Sequence, residues 1–345
     1  MSSSSASSPS SLPSELASVL RGHSAPLQFA RFSPNGRYAI TGGQDKRVML
    51  WNPFRCEEVE ADEESTAAAA AGAAPTALLI ATYAAHGYEV LDAALSADGA
   101  TLASVGGDRA AVVWDTARVA VLRKLSGHEQ RVSTTAMASE AGGGAGALLA
   151  TGSDDKTVRL WDLRAAGRAA QTLSEASDNV TAVALARGCV FAASLDGSVR
   201  RYDVRAARLL RDEVGAGVAA LALSGDGACL LAGTLRAGGE LLLLEAARGL
   251  RLKAYAGHAN ALYRCAPAFS ADDAHVLCGG EDGAVTWWDL VSARAVHRLA
   301  DAHRRVVSWV SPHPNPDTPA LLTASYDGTA KLWLAPGRRR ELMMS

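Results

Sequence analysis

The chain has 345 residues, 48% apolar and 20% charged, with a formal net charge of −2. That apolar share is ample for a buried core and excludes wholesale disorder, and the near-neutral balance leaves no global field to hold nucleic acid or an anionic membrane surface. Five cysteines (Cys56, Cys189, Cys229, Cys265 and Cys278), odd in number, far apart and never in a CxxC pair, exclude a disulfide framework and a cysteine zinc cluster and fit a reducing cytosol or nucleus.

In chain order, residues 1–14 (MSSSSASSPSSLPS) are small and polar, without the basic start and apolar stretch of a secretory leader, and predict a disordered tail. ELASVLR (15–21) follows, before a first unit of His23, the β-type run YAITGG, Asp45 and VMLWN ending at Asn52. Next come the acidic run CEEVEADEE (56–64) and an Ala-rich stretch; 57–76 reads as a solvated, low-complexity insertion. The uncharged segment 65–85 has only Leu78, Leu79, Ile80 and Tyr83 as bulky apolar residues, too few for a membrane span.

The second unit carries His86, Asp108 and VVWD ending at Asp115; the third carries His128, a glycine-rich expansion EAGGGAG (140–146), Asp155 and VRLWD ending at Asp162. A fourth keeps Asp196 and VRRYD ending at Asp203 but has SEASDNV (174–180) in place of a Gly-His pair. The sixth has His258, Asp282 and VTWWD, and the seventh His303, ALLTAS, Asp327 and AKLWL. The aromatics Trp51, Trp114, Trp161, Tyr202, Trp288 and Trp333 stand 63, 47, 41, 86 and 45 residues apart. The doubled interval hides a fifth unit, LLLLE (241–245), with Leu244 in the aromatic place, a turn lengthened by RAGGE (236–240), and neither His nor Asp. SPNG, SADG, SGDG and SADD mark tight reversals between short strands. GRRRELMMS (337–345) reads as a solvated end.

Short strands, a His upstream, an Asp and a Trp six residues after it, repeated every 41–47 residues, resemble the WD-repeat β-propeller family from about Glu15 to Ala335. The resemblance implies an all-β, seven-bladed propeller of four-stranded blades around a channel. ELASVLR is expected to pair with the last blade, closing the ring and protecting its edge. Resemblance also implies one buried hydrogen-bonded quartet per full unit: His23, Thr41, Asp45 and Trp51; His86, Ser104, Asp108 and Trp114; His128, Thr151, Asp155 and Trp161; His303, Thr323, Asp327 and Trp333. In the sixth, His258, Asp282 and Trp288 recur, with Cys278 in place of the hydroxyl.

A His, a hydroxyl and an Asp also make a hydrolase triad, but a triad occurs once beside an oxyanion site, whereas this trio recurs with a Trp at fixed offset. No catalytic, cofactor or metal residue is therefore assigned, and no GxxxxGK[ST], HExxH or GxSxG string occurs. Both insertions fall at connections on one face of a propeller. On the other, Tyr88, Arg131, Tyr263, Arg304 and Tyr326 are the candidate partner contacts, being of the residue types that concentrate binding energy.

AHGYEVLDAALSADG (85–99), WNPFR (51–55), GGDRAAVVWD (106–115), SLDGSVRRYDVR (194–205) and GHANALYR (257–264) resemble the mitogen-activated protein kinase organiser family of WD-repeat scaffolds. This implies a non-enzymatic scaffold of the extracellular-signal-regulated kinase cascade in cytoplasm and nucleus, a monomer within larger complexes, with relatives tied to the spliceosome and to the prolyl hydroxylase arm of hypoxia sensing. An alternative is a substrate receptor of a cullin–RING ubiquitin ligase, since the boxes ending at Arg164 and Arg205 resemble those that salt-bridge the ligase adaptor. Direct RNA binding through Arg123, Lys124, Arg131, Arg200, Arg201, Arg304 and Arg305 is disfavoured: these are scattered, with few aromatics between them.

Overall fold

The computed structural model describes residues 12–343 apart from 57–73, 139–147, 166–168, 205, 207 and 237. The expected insertion core, the glycine-rich expansion, Arg205 and most of the N-terminal tail thus lie outside the described residues.

Seven antiparallel four-stranded sheets form the blades of a β-propeller. A first strand, β1 (Glu15–Leu20), precedes blade 1, which holds β2 (Leu27–Phe32), β3 (Ala39–Gly43), β4 (Val48–Cys56) and β5 (Ala77–Tyr83). Blade 2 holds β6 (Val90–Leu95), β7 (Thr101–Gly106), β8 (Ala110–Asp115) and β9 (Ala120–Ser126). In blade 3 are β10 (Val132–Met137), β11 (Leu148–Ser153), β12 (Val158–Asp162) and β13 (Gln171–Leu173). Blade 4 comprises β14 (Val180–Ala186), β15 (Cys189–Ser194), β16 (Ser198–Asp203) and β17 (Arg208–Glu213). Blade 5 comprises β18 (Val218–Leu223), β19 (Cys229–Thr234), β20 (Glu240–Glu245) and β21 (Arg251–Ala256). Blade 6 comprises β22 (Ala268–Phe269), β23 (His275–Gly279), β24 (Val285–Asp289) and β25 (Ala295–Leu299). Blade 7 takes β26 (Val307–Pro312), β27 (Ala320–Ser325) and β28 (Ala330–Leu334), and β1 supplies its outer strand. The expected closure is met: Leu16 pairs with Trp333 and Leu20 with Ala330, so the ring has no open edge at the seam.

Burial follows position in the blade. The second strands β3 and β23 are buried at every residue, because neighbouring blades cover both their faces; the outer β9 is exposed at all but two positions. In blades 1, 2, 5 and 6 the first two strands join through the Ser-containing reversals. In SPNG the Ser33 hydroxyl accepts the Tyr38 N–H at 3.0 Å and donates to Asn35. Gly36 turns there at φ +73°, a left-handed conformation free of strain for glycine. Six of the inner strands carry a bulge after their first residue, as between Leu27 and Phe29, which adds the twist a propeller blade needs. Three bulged hydroxyls bond the next blade: Ser133 to Val180 O, Thr181 to Val218 O and Ser308 to Leu27 O.

Two end segments depart from expectation. Leu12, in the expected tail, is buried against Trp287 and Trp333, and the Ser14 N–H donates to Leu334 O at 3.0 Å. Residues 339–343, expected as a solvated end, form the short helix α1 (Arg339–Met343), whose Leu342 and Met343 pack against the core of blade 1. Both polar end segments carry apolar side chains, Leu12 in the one and Leu342 and Met343 in the other, whose burial against the blades outweighs the solvation of their polar neighbours. No helix among the described residues is long and apolar enough to cross a membrane.

Candidate functional site

The outer-to-inner strand connections and the turns between second and third strands share one face, here the upper face. Both carry the recurring polar residues. In blade 3 the His128 ring lies 2.8 Å from Asp155 through Nδ1 and 2.8 Å from Thr151 Oγ1 through Nε2, and Trp161 Nε1–H donates to the same hydroxyl at 2.9 Å. Blade 1 repeats this with His23 at 2.7 Å from both Asp45 and Thr41, and Trp51 donating to Thr41 at 2.8 Å. In blade 2, His86 reaches Asp108 at 3.0 Å and Ser104 at 2.7 Å, with Trp114 donating to Ser104 at 2.8 Å. Blade 7 places His303 at 2.9 Å from Asp327 and 2.7 Å from Thr323, which accepts Trp333 Nε1–H at 3.0 Å.

One tautomer satisfies every atom: Nδ1–H donates to the carboxylate, the hydroxyl accepts from indole and donates to Nε2. Burial alone would raise the carboxyls. The bonds from histidine and from backbone N–H groups outweigh it and hold Asp45, Asp108, Asp155 and Asp327 below the usual carboxylate range. The hydroxyl-bearing residues Thr41, Ser104, Thr151 and Thr323 are wholly buried. A nucleophile with no access to substrate and both hydrogen-bonding directions occupied cannot attack; the arrangement fastens strands.

A second polar cluster crosses the channel. Asp92, fully buried on the inner strand of blade 2, accepts from Arg31 of blade 1 at 2.9 Å, and from Thr134 Oγ1 and the Thr135 N–H of blade 3 at 3.2 and 3.1 Å. Arg264 of blade 6 passes 3.7 Å from Asp92 and donates to Ser133 O at 2.9 Å. Arg31 and Arg264 both lie over the Trp309 ring of blade 7, at 4.2 and 5.4 Å from its centroid. Val183 N–H of blade 4 donates to Thr134 at 3.2 Å, so six of seven blades meet in one network. Sequence reading passed over it; the signal was an acid, Asp92, inside the apolar strand VLDAAL.

The five candidate contacts all lie in upper-face connections but not in one patch. Tyr263 meets Tyr326 edge-to-face at 5.5 Å, and Tyr326 lines a groove with Arg304. Tyr88, 62% exposed, belongs to blade 2, and Arg131 of blade 3 is paired with Asp154. On the lower face Arg164 is exposed in the turn after β12, while its companion Arg205 lies outside the described residues. Among the described residues no group of three or more metal-ligating side chains converges.

A family model described as WD domain, G-beta repeat matches residues 14–52, 78–115, 120–162, 249–289 and 295–333, more than half of the chain. The chain belongs to the WD-repeat family. It is 36% identical to WD repeat domain-containing protein 83 of Homo sapiens over 325 residues, covering 94% of this chain and 93% of that one. The Rattus norvegicus protein of the same name is 36% identical over 307 residues, covering 89% and 88%. A Dictyostelium discoideum homologue is 23% identical over 345 residues, covering 91% and 96%.

The WD-repeat matches skip units four and five, and there the blades use other chemistry. In blade 4 Ala176 stands where the histidine would be and Ala192 where the hydroxyl would be. The Arg200 guanidinium, 1% exposed, turns inward to Asp196 at 2.7 Å, and the carboxylate also accepts Ser177 N–H at 3.0 Å. Burial would raise Asp196; Arg200, Ser198 and Ser177 together hold it far below the carboxylate range. Arg200 is thus an internal fastener and no surface contact. The remaining basic candidates do not form a stripe either: Arg123 and Arg201 donate to carbonyls of Ala165 and Ala246 on the lower face, and Lys124 lies 3.9 Å from Asp108.

Blade 6 does not assemble the expected quartet. The Cys278 thiol, a weak donor, lies 3.8 Å from Cys265 O; Trp288 Nε1–H donates to Ala256 O at 3.0 Å and Asp282 pairs with Arg298. His258 keeps only an edge-to-face contact with Trp288, 5.4 Å between centroids, and neither ring nitrogen bonds a described residue. The RAGGE turn of blade 5 packs on it: a Cβ on Gly239, at φ +60°, would stand 2.4 Å from His258 O. Burial pushes the His258 ring down to about 4, against the opposing Asp282 and Glu281 carboxylates. The unfolded chain therefore binds the extra proton first as pH falls below the ordinary ~6.5. Stability from this site is complete above that value and drops by up to about 3 kcal/mol as pH approaches 4. Urea unfolding at about pH 7 and about pH 4.5 checks this: His258→Phe should flatten the loss relative to the parent chain.

Proposed function

We propose that this WD-repeat protein is a non-enzymatic scaffold of cytoplasm and nucleus, assembling complexes of the kinase-cascade or spliceosomal kind through its upper face. The observation that carries the scaffold reading is the burial of every quartet hydroxyl, which leaves the repeated His and Asp as fasteners and the exposed Tyr and Arg side chains of the upper face to meet partners. Likeness to WD repeat domain-containing protein 83 over nearly the whole chain, and the strings around Tyr88 and Arg200–Arg201, favour the organiser type over a generic repeat.

Affinity purification of the tagged chain from its native organism, with and without RNase, tests the reading. Recovery of kinase-cascade or spliceosomal proteins that survives RNase is expected. Kinase components without spliceosomal ones would sink the splicing role. Recovery of a ligase adaptor that is lost on replacing Arg164 and Arg205 with Ala would replace the scaffold reading by the substrate-receptor one.

A further inference from the structure

We propose that the upper-face sector where blades 6, 7 and 1 meet docks an extended acidic segment of a protein partner, one that also carries an apolar side chain. The inference rests on the scaffold reading above and specifies its contact chemistry.

At the seam between blades 7 and 1 is a groove of about 600 Å³, lined among others by Arg21, His23, Arg304, Arg305, Tyr326 and Asp327. Arg21, Arg304 and Arg305 are exposed, and their guanidinium groups form no ion pair among the described residues. The fields of Arg21 and Arg304 converge on Lys331, whose ammonium burial holds below its ordinary value, with Asp327 opposing and the two arginines adding to the effect. Asp327, the one acidic residue lining the groove among those described, is already bonded to His303 and Thr329. The groove therefore presents uncompensated positive charge on a chain whose net charge is −2.

An apolar anchor adjoins it. In the connection from β21 to β22, Leu262 is 79% exposed and Tyr263 43% exposed. That loop is stiff: the Glu281 carboxylate accepts the N–H groups of Ala261, Leu262 and Tyr263 at 2.8, 2.7 and 2.9 Å, and Arg264 anchors its far end across the channel. Tyr326 belongs to both parts, lining the groove while packing on Tyr263 and donating to Gln28 at 3.2 Å. Contacts held this rigidly cost little ordering entropy on binding, and Tyr and Arg are the types that carry interface energy. A single-stranded RNA would need a series of open aromatic faces, whereas the two tyrosines here are packed edge to face.

Fluorescence anisotropy of the full chain tests the site with three labelled probes: the peptide EEDEELDEEDEE, the same peptide with Ser for Leu, and a twelve-nucleotide oligouridylate. The acidic peptide should bind, should weaken as salt rises, and should lose about tenfold in affinity in R21A/R304A/R305A. L262A, or the Ser peptide, should lose about threefold, and Arg118→Ala on the lower face nothing. R304E/R305E, with the same unfolding midpoint as the parent, should abolish binding. No binding of the acidic peptide, indifference to the arginine variants, or tighter binding of the oligouridylate would overturn the proposal. If the parent chain still captures proteins in the purification above, such a failure removes this site and leaves the scaffold reading standing. Peptide binding without any captured protein would overturn both.

Discussion

Replacing Asp92 with Ala should lower the free energy of unfolding by about 3–5 kcal/mol, the usual cost of removing one partner from a buried ion pair. The carboxylate is wholly buried and collects Arg31, the Thr134 hydroxyl and the Thr135 N–H, with Arg264 3.7 Å away. Without it two guanidinium groups face each other across the channel over Trp309, and two donors of blade 3 lose their acceptor. Asp92→Asn keeps an acceptor and removes the charge, so its loss should fall between the parent and Ala. Urea midpoints at constant slope measure both. A loss under about 1 kcal/mol for Ala would mean that the network merely fills the channel.

The second large effect is expected at blade 4. Arg200→Ala leaves the Asp196 carboxylate, 7% exposed, without its guanidinium and should likewise cost about 3–5 kcal/mol near neutral pH. The pH dependence separates this from lost packing. In the parent, Asp196 sits below the carboxylate range, so its contribution is full above the ordinary ~3.8 and is lost as pH falls beneath that. Once Arg200 is gone, only the Ser198 and Ser177 bonds oppose burial, so the carboxyl moves up, and protonating it relieves the unpaired charge; the deficit of the variant should shrink as pH falls through the carboxylate range. The double variant Arg200→Ala with Asp196→Ala should be less damaged than Arg200→Ala alone. Equal damage at all pH values would assign Arg200 a packing role only.

Much of this was legible because the repeat is local. The spacing of Trp51, Trp114, Trp161, Tyr202, Trp288 and Trp333 located six blades, and the doubled interval located the seventh at Leu244, which is indeed buried on the third strand of blade 5. Departures were legible as absences but not in their remedy. SEASDNV in place of a Gly-His pair announced a missing histidine; that Arg200 would swing inward to serve Asp196, beside the small Ala192 with which it pairs across the strands, was not legible. Blade 6 misled in the other direction, since His258, Asp282 and Trp288 stand at the right spacing yet form no hydrogen-bonded chain without the hydroxyl that Cys278 replaces.

The amino-acid order by itself determined the blade count and the turn chemistry, because each rests on alternation and spacing within about forty residues. Only the tertiary structure decided which polar residues meet across the ring. Arg31, Asp92 and Arg264 are separated by 61 and 172 positions and share no local pattern, yet closing seven sheets around one axis brings inner strands from distant units face to face. For the same reason Tyr263, Tyr326, Arg304 and Arg21 form one sector while Tyr88 and Arg131 do not join it: neighbourhood on a propeller face is set by the angle between blades, which no interval along the chain encodes.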